Sequence, residues 1–107
     1  MDTKMTKRMP PEERRQSILA AAVKESRRLG YRNITRDGVA IAAGVTFPRV
    51  TQLFGDMPGL RRAIMRYAVE HADLVLLAQG LAHRDPIARR ASAAVKKQVA
   101  DKLTGVA

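Results

Sequence analysis

Val39-Ala40-Ile41-Ala42-Ala43-Gly44-Val45-Thr46-Phe47-Pro48-Arg49-Val50-Thr51-Gln52-Leu53-Phe54 is the stretch whose reading decides the fold. Its pattern predicts two short helices joined by a tight turn at Gly44. A helix-turn-helix uses this arrangement to lay its second helix in the major groove of DNA. Val39 and Ala40 are expected to face inward on the first of these helices, and Ala43 is small enough to let the second cross closely. Gly44 tolerates a positive φ and so ends the first helix sharply. Val45 then fills the space between the helices, and Thr46 is a good N-cap for the next one. Val50, Leu53 and Phe54 fall on one buried face at i, i+3, i+4 spacing. Phe47, Arg49, Thr51 and Gln52 are left pointing outward.

Upstream of this stretch, Met1 to Met9 read as a mobile arm, and residues 1–10 together as a flexible basic arm carrying Lys4, Lys7 and Arg8. Pro10-Pro11 is a stiff start signal, and Glu12 and Glu13 suit a first turn beside the helix dipole. A helix follows to about Leu29, with Ile18, Leu19, Ala22, Val23 and Leu29 as its apolar stripe and Gly30 as its C-cap. Tyr31 to Ile34 is a linker. Thr35 caps the helix that holds Val39, with Arg36 and Asp37 in its first turn. Gly38 weakens that helix, so tertiary packing must compensate. Pro48 is tolerated because it lies in a first turn.

Downstream, Gly55 ends the second short helix and Asp56 caps another, with Pro58 in its first turn. This is the longest pattern: Leu60, Ile64, Tyr67, Ala68, His71, Leu74, Val75 and Ala78 form one stripe at a period near 3.6, ending near Gly80. Asp85-Pro86 opens a last helix that is expected to reach Val99 or beyond. Its apolar face, Ile87, Ala91, Ala94, Val95 and Val99, is weak, and Thr104 to Ala107 should fray. No strand pattern is present. The expected fold is all-α. A helix-turn-helix DNA-binding head spans residues 11–57, and a helical dimerisation segment made of two helices spans residues 58–107. The stripe Leu74, Val75, Ala78 and Leu81 has little partner surface within so small a domain, which points to a homodimer.

The chain has 107 residues and a net charge of +10, and its isoelectric point is about 11.1. This favours a polyanionic partner, either nucleic acid or an anionic membrane surface. Residues 1–30 carry a net +4, residues 31–60 a net +1 and residues 61–107 a net +5, so the central stretch is nearly neutral and is flanked by basic segments. Flanking charge suits phosphate contacts on either side of a groove-reading helix. For any single Lys or Arg, a solvated surface is the simpler reading. No cysteine is present, which removes disulfides and thiolate metal sites and fits a reducing cytoplasm. No run approaches the ~20 apolar residues of a membrane span, and Met1 to Pro10 lacks the apolar core of a secretory signal. Aromatic residues make up 4% of the chain, which argues against a single-strand binder that stacks bases.

Arg49 is the candidate for direct base readout, because a guanidinium can bond guanine O6 and N7 together; the alternative is a phosphate contact. Gln52, on the same outward face, reads either adenine or a phosphate. Phe47 either packs on a thymine methyl or staples onto the preceding helix. Thr35 and Thr46 are caps first, and their hydroxyls and the nearby helix-start amides also suit phosphates. Thr51 contacts phosphate or thymine, or is simply exposed, and Arg36 completes the candidate set. His71 and His83 lack metal-ligand spacing, and His71 is expected on a packed or dimer surface. Met57, Met65 and the two tyrosines read as core or interface packing. No glycine-rich phosphate loop, paired carboxylates or nucleophile triad marks an enzyme, and no cofactor is implied.

The span from Arg15 to Leu60 resembles the DNA-binding domain of the TetR family. The residues that carry this are Ile18-Leu19, Ala21-Ala22, Gly30-Tyr31, Thr35, Val39-Ala40, Ala43-Gly44-Val45-Thr46, Val50, Phe54 and Leu60. Thr51 and Leu53 stand where that family usually has aromatics, Met57 where it has a lysine, and Pro48 and Arg49 where it has small residues. The departures at Thr51 and Met57 put the family's phosphate contacts there in doubt. Phe54-Gly55-Asp56-Met57, Leu60-Arg61-Arg62, Met65-Arg66 and Ala78-Gln79-Gly80-Leu81-Ala82 are similar to short plasmid-borne repressors of the KorC type. The resemblance implies a dimeric transcriptional repressor of a mobile element, acting on a palindromic double-stranded DNA operator. Residues 61–107 are too few to enclose a drug-sized pocket, so no small-molecule inducer is expected. The runner-up is a basic helical RNA-binding or nucleoid-associated protein without sequence readout, and a third reading is a protein–protein adaptor. The ordered caps, turn and outward polar residues of 39–54 favour the first, because a charge-only binder does not require them.

Overall fold

The computed structural model describes residues 10–105, and every regular element among them is helical. In chain order the helices are α1 (Pro11–Leu29), α2 (Arg36–Ala43), α3 (Phe47–Phe54), α4 (Met57–Glu70), α5 (Leu74–Ala82) and α6 (Ala93–Leu103), with a 3₁₀ turn at Ala88–Arg90 between the last two. The basic arm and the last two residues lie outside the described residues. None of the described helices is long and apolar enough to cross a membrane. α1 packs against α2, α4 and α5; α3 packs against α2 and α4; α5 packs against α4, α6 and the 3₁₀ turn. One apolar core runs through all of them, from Ile18 and Ala22 through Val39, Val50, Leu60 and Ile64 to Leu77 and Val99.

The first three helices follow the sequence reading. Pro11 opens α1, with Glu12 and Glu13 in its first turn. The Thr35 hydroxyl accepts from the Gly38 amide at 2.9 Å and so caps α2. Asp56 caps α4 in the same way, through the Gly59 amide at 2.9 Å. Leu29 departs from the expected stripe: it sits in the last turn of α1 and is largely exposed.

The C-terminal half is cut into more pieces than its apolar period suggested. α4 stops at Glu70 rather than running on to Gly80. The amide of Asp73 donates to Ala68 O at 2.9 Å and that of Ala72 to Val69 O at 3.4 Å. This is the paired closing pattern of a left-handed helix end, here with Ala72 at φ 52. Asp73 then caps α5, its Oδ1 accepting from the Leu76 amide at 3.1 Å. α5 runs through Gly80 and ends at Ala82 by the same device. Arg84 sits at φ 56, and the Arg84 and Asp85 amides donate to Leu81 O and Gly80 O at 3.1 and 2.8 Å. Ahead of the 3₁₀ turn, Asp85 Oδ1 accepts from the Ile87 and Ala88 amides at 2.8 and 3.3 Å. The helix expected from Asp85 therefore breaks, and α6 starts afresh where the Ser92 hydroxyl accepts from the Val95 amide at 3.2 Å. Ala94, expected on its apolar face, is exposed. His71, expected on a packed or dimer surface, is exposed within the single chain just beyond α4, with its ring 4.2 Å from that of Tyr67.

Polar contacts tie the end of α1 to α5. Gln79 Nε2 donates to Ser26 O at 3.0 Å, and the Tyr31 amide donates to Gln79 Oε1 at 2.7 Å. The buried Tyr31 hydroxyl donates to Asp85 Oδ2 at 2.9 Å. Arg27 Nε donates to Asp73 Oδ2 at 2.9 Å, within an ion pair whose carboxylate is almost fully buried. The hydrogen bond to Asp73 raises the Arg27 pKa above its ordinary value.

Gly80 is where α5 approaches its neighbours most closely. A Cβ added there would lie 2.7 Å from Ala88 Cβ and 2.8 Å from Met65 Cε. The methionine can give way, but the alanine methyl cannot. Gly80→Ala should therefore destabilise the fold by about 1–3 kcal/mol despite alanine's better helix propensity, measured by urea denaturation. Burial, then the bond to Asp85, raises the Tyr31 pKa above its ordinary 10.0. The neutral phenol is thus the form that the fold favours. Its contribution is full below pH 10 and is lost as pH rises through the folded pKa. Tyr31→Phe should cost about 1–2 kcal/mol at pH 7 and should flatten the loss of stability above pH 10 seen by denaturation across pH.

Candidate nucleic-acid interface

The turn between α2 and α3 is built on Gly44, left-handed at φ 71 and ψ 32. Its amide donates to Ile41 O at 3.2 Å, and the Val45 amide donates to Ala40 O at 3.0 Å. This closes α2 and sends the chain back across it within three residues. Val39, Ala40, Val50 and Phe54 are buried, with Ala43, Val45 and Leu53 packed half-buried around them. The inner face of α3 is thereby fixed, and its outer face follows from the helical period.

Phe47 and Gln52 are exposed on that outer face, and Arg49 and Thr51 are half-exposed. Thr46 occupies the N-cap position with extended backbone, but its hydroxyl caps no amide. The reason lies in the next residues. An N-cap side chain needs the amide two or three positions on. Pro48 has none, and the Arg49 amide donates to the Thr46 carbonyl at 3.0 Å. The expected side-chain cap is therefore replaced by a backbone bond, and the exposed hydroxyl is available to an outside group.

Arg36, at the start of α2, reaches across to α3. Its guanidinium lies 4.9 Å from the centre of the Phe47 ring, and Nη1 donates to Thr51 Oγ1 at 3.2 Å. The structure thus joins three of the sequence-selected residues into one cluster spanning the two helices, and Phe47 does lie against α2. Arg49 and Gln52 form a second pair, with Nη1 donating to Oε1 at 3.3 Å. Thr35 remains at the α2 cap, one residue before Arg36. The seven candidates therefore line the starts of α2 and α3 and the outer side of α3.

Two further residues join this region without a signal in the sequence. Ile41 is 81% exposed on α2, next to the turn. Arg15 of α1 lies 4.8 Å from the centre of the Phe54 ring and so braces the far end of α3. An open groove of about 510 Å³ also lies between α1, α4 and the 3₁₀ turn. Residues 61–107 do not form it alone, because α1 supplies the facing wall. Among the described residues no cluster of three potential metal ligands occurs.

Arg36 holds Phe47 and Thr51 from the neighbouring helix, so Arg36→Ala should loosen the outer face of α3 while leaving its buried face intact. The expected cost is about 0.5–1 kcal/mol in thermal denaturation, with faster amide exchange confined to residues 46–52. No protein-family model, curated protein or solved structure matches this chain.

Proposed function

We propose that this chain is a sequence-specific DNA-binding transcriptional repressor with a TetR-like head, acting as a homodimer on an inverted-repeat operator. The observation that carries this reading is the division of α3. Val50 and Phe54 are buried, while Phe47, Arg49 and Gln52 are turned to solvent or half so, at the start of a helix set across its neighbour by a three-residue turn. In this reading Arg49 reads a base edge, with Gln52 beside it. Phe47, held against α2 by Arg36, keeps an exposed part of its ring for a thymine methyl, and the Thr46 hydroxyl and the start of α3 hold a phosphate. Arg36 and Thr51 set the cluster's shape and face the backbone. The net charge of +10 supplies the salt-dependent part of the affinity.

One short helix offers too little contact for specific affinity, so two heads would engage half-sites about one helical turn apart, ~34 Å. The dimer surface in this reading includes the α5 stripe: Leu76 and Leu77 are buried, whereas Val75 is exposed and Leu74, Ala78 and Leu81 are only half covered. In this reading protein concentration and dimerisation set operator occupancy in the absence of a bound ligand.

Selection of bound sites from random duplex DNA at near-physiological salt should return an inverted repeat. Arg49→Ala should cost about 1–3 kcal/mol of specific binding and relax preference at one base pair per half-site. Substituting Lys4, Lys7 or Arg8 by Ala should weaken all duplexes alike and reduce the salt dependence. Recovery of random sequences, or equal loss on specific and random DNA for Arg49→Ala, would contradict base readout by Arg49.

A further inference from the structure

We infer that the groove between α1, α4 and the 3₁₀ turn binds a small organic carboxylate with an apolar body. The inference goes beyond the proposed DNA interface, and its binding step does not depend on it. About 510 Å³ is enough for such a molecule, because ligand pockets run from roughly 300 to 1,000 Å³. The surface is chemically two-sided. Leu19 and Ala63 are buried at its base, and Ile87 is half-buried beside them. Arg15, Arg66 and Arg90 also line it, from three different elements. Among the described residues none of the three forms an ion pair with a carboxylate.

Three arginines lining a surface that also holds Leu19, Ala63 and Ile87 favour one chemistry. Guanidinium bonds carboxylate in a planar, two-pronged geometry, and the apolar base rewards a hydrocarbon or aromatic body with about 25 cal/mol for each Å² covered. The single acid in the lining, Glu70, offsets one of the three positive charges and leaves a net positive surface that attracts an anion. Inorganic phosphate lacks the apolar part, and an aliphatic alcohol lacks the charge.

The groove also touches α3 indirectly. Arg15 both lines it and lies against the Phe54 ring that ends α3. A carboxylate that draws the Arg15 guanidinium toward itself removes that brace, so occupancy of the groove should alter the far end of α3.

The test uses the full chain with octanoate and 1-naphthoate as probes, and octanol, acetate and inorganic phosphate at matched ionic strength as controls. At ten times Kd either probe carboxylate should raise Tm by about 5 °C or more, while the controls should not. Arg66→Ala/Arg90→Ala, which removes two exposed side chains, should keep the wild-type circular dichroism and bind octanoate roughly tenfold or more weakly by calorimetry. Arg15→Gln should weaken octanoate and abolish the ligand-induced amide shifts at Phe54. The proposal is overturned if neither carboxylate binds, if octanol binds as well as octanoate, or if the double variant binds unchanged. Binding of a polyglutamate peptide in place of both carboxylates would likewise overturn it and mark the groove as a protein-docking surface. None of these readouts contains DNA, so their failure leaves the proposed repressor function standing, and failure of site selection leaves the groove standing.

Discussion

The side-chain amide of Gln79 is bonded at both ends, and the rest of the fold depends on that. It donates to the carbonyl of Ser26 near the end of α1 and accepts from the amide of Tyr31 just beyond it. Ser26 O also accepts from the Gly30 amide at 2.8 Å, so Gln79 adds a second bond there, while the Tyr31 amide lies just beyond the helix and takes Gln79 as its partner, as a protein interior requires. With Gln79 in place, α1 can end against α5, and Tyr31 can turn inward to reach Asp85. The Arg27–Asp73 pair closes the same seam at the start of α5. The segment carrying α2 and α3 is therefore anchored on the C-terminal helices by directional bonds as well as apolar contact.

From that seam the order of the other helices follows. Asp73 and Asp85 each accept a bond across the seam; Asp73 also caps α5, and Asp85 also accepts from the amides that lead into the 3₁₀ turn. Gly80 lets α5 come within contact of Met65 and Ala88. With the frame set, α2 and α3 need only their own turn at Gly44 and a few buried side chains to hold position. The outer face of α3 can then carry exposed polar and aromatic groups without supporting the core. In the proposed function this separation matters, because a reading surface can change while the frame that presents it does not.

The first half of the chain was legible because its punctuation is unambiguous. Gly44 is a glycine where the backbone is left-handed, Thr35 and Asp56 are short oxygen side chains three residues before a free amide, and Pro11 opens a helix. The second half misled because its helix ends use residues without that signature. Ala72 and Arg84 adopt left-handed backbone, and the apolar period runs straight across the first of these breaks. The readable signals were Asp73, which caps α5, and Asp85, which accepts from the amides leading into the 3₁₀ turn. Gly80 drew attention as an end when its role is close packing. Thr46 misled for a local reason: Pro48 offers no amide, and the Arg49 amide three positions on is taken by the carbonyl of Thr46 itself. Gln79 is the polar residue of the apolar run Leu74–Ala82, and no spacing rule pairs it with Ser26 or Tyr31, more than forty positions away. The candidate surface itself was visible as an outward set, whereas the grouping of Arg36 with Phe47 and Thr51 required the crossing of two helices.

In the proposed function the outer face of α3 meets DNA while the seam behind it stays fixed. An amide-detected NMR titration of the protein with an operator duplex tests this most directly. The largest shifts are expected at residues 46–52 and at Thr35 and Arg36, with the Gln79 side-chain amide and the amides of Ser26 and Tyr31 little changed. Shifts concentrated on α6, or spread evenly over the basic residues with α3 unmoved, would contradict it.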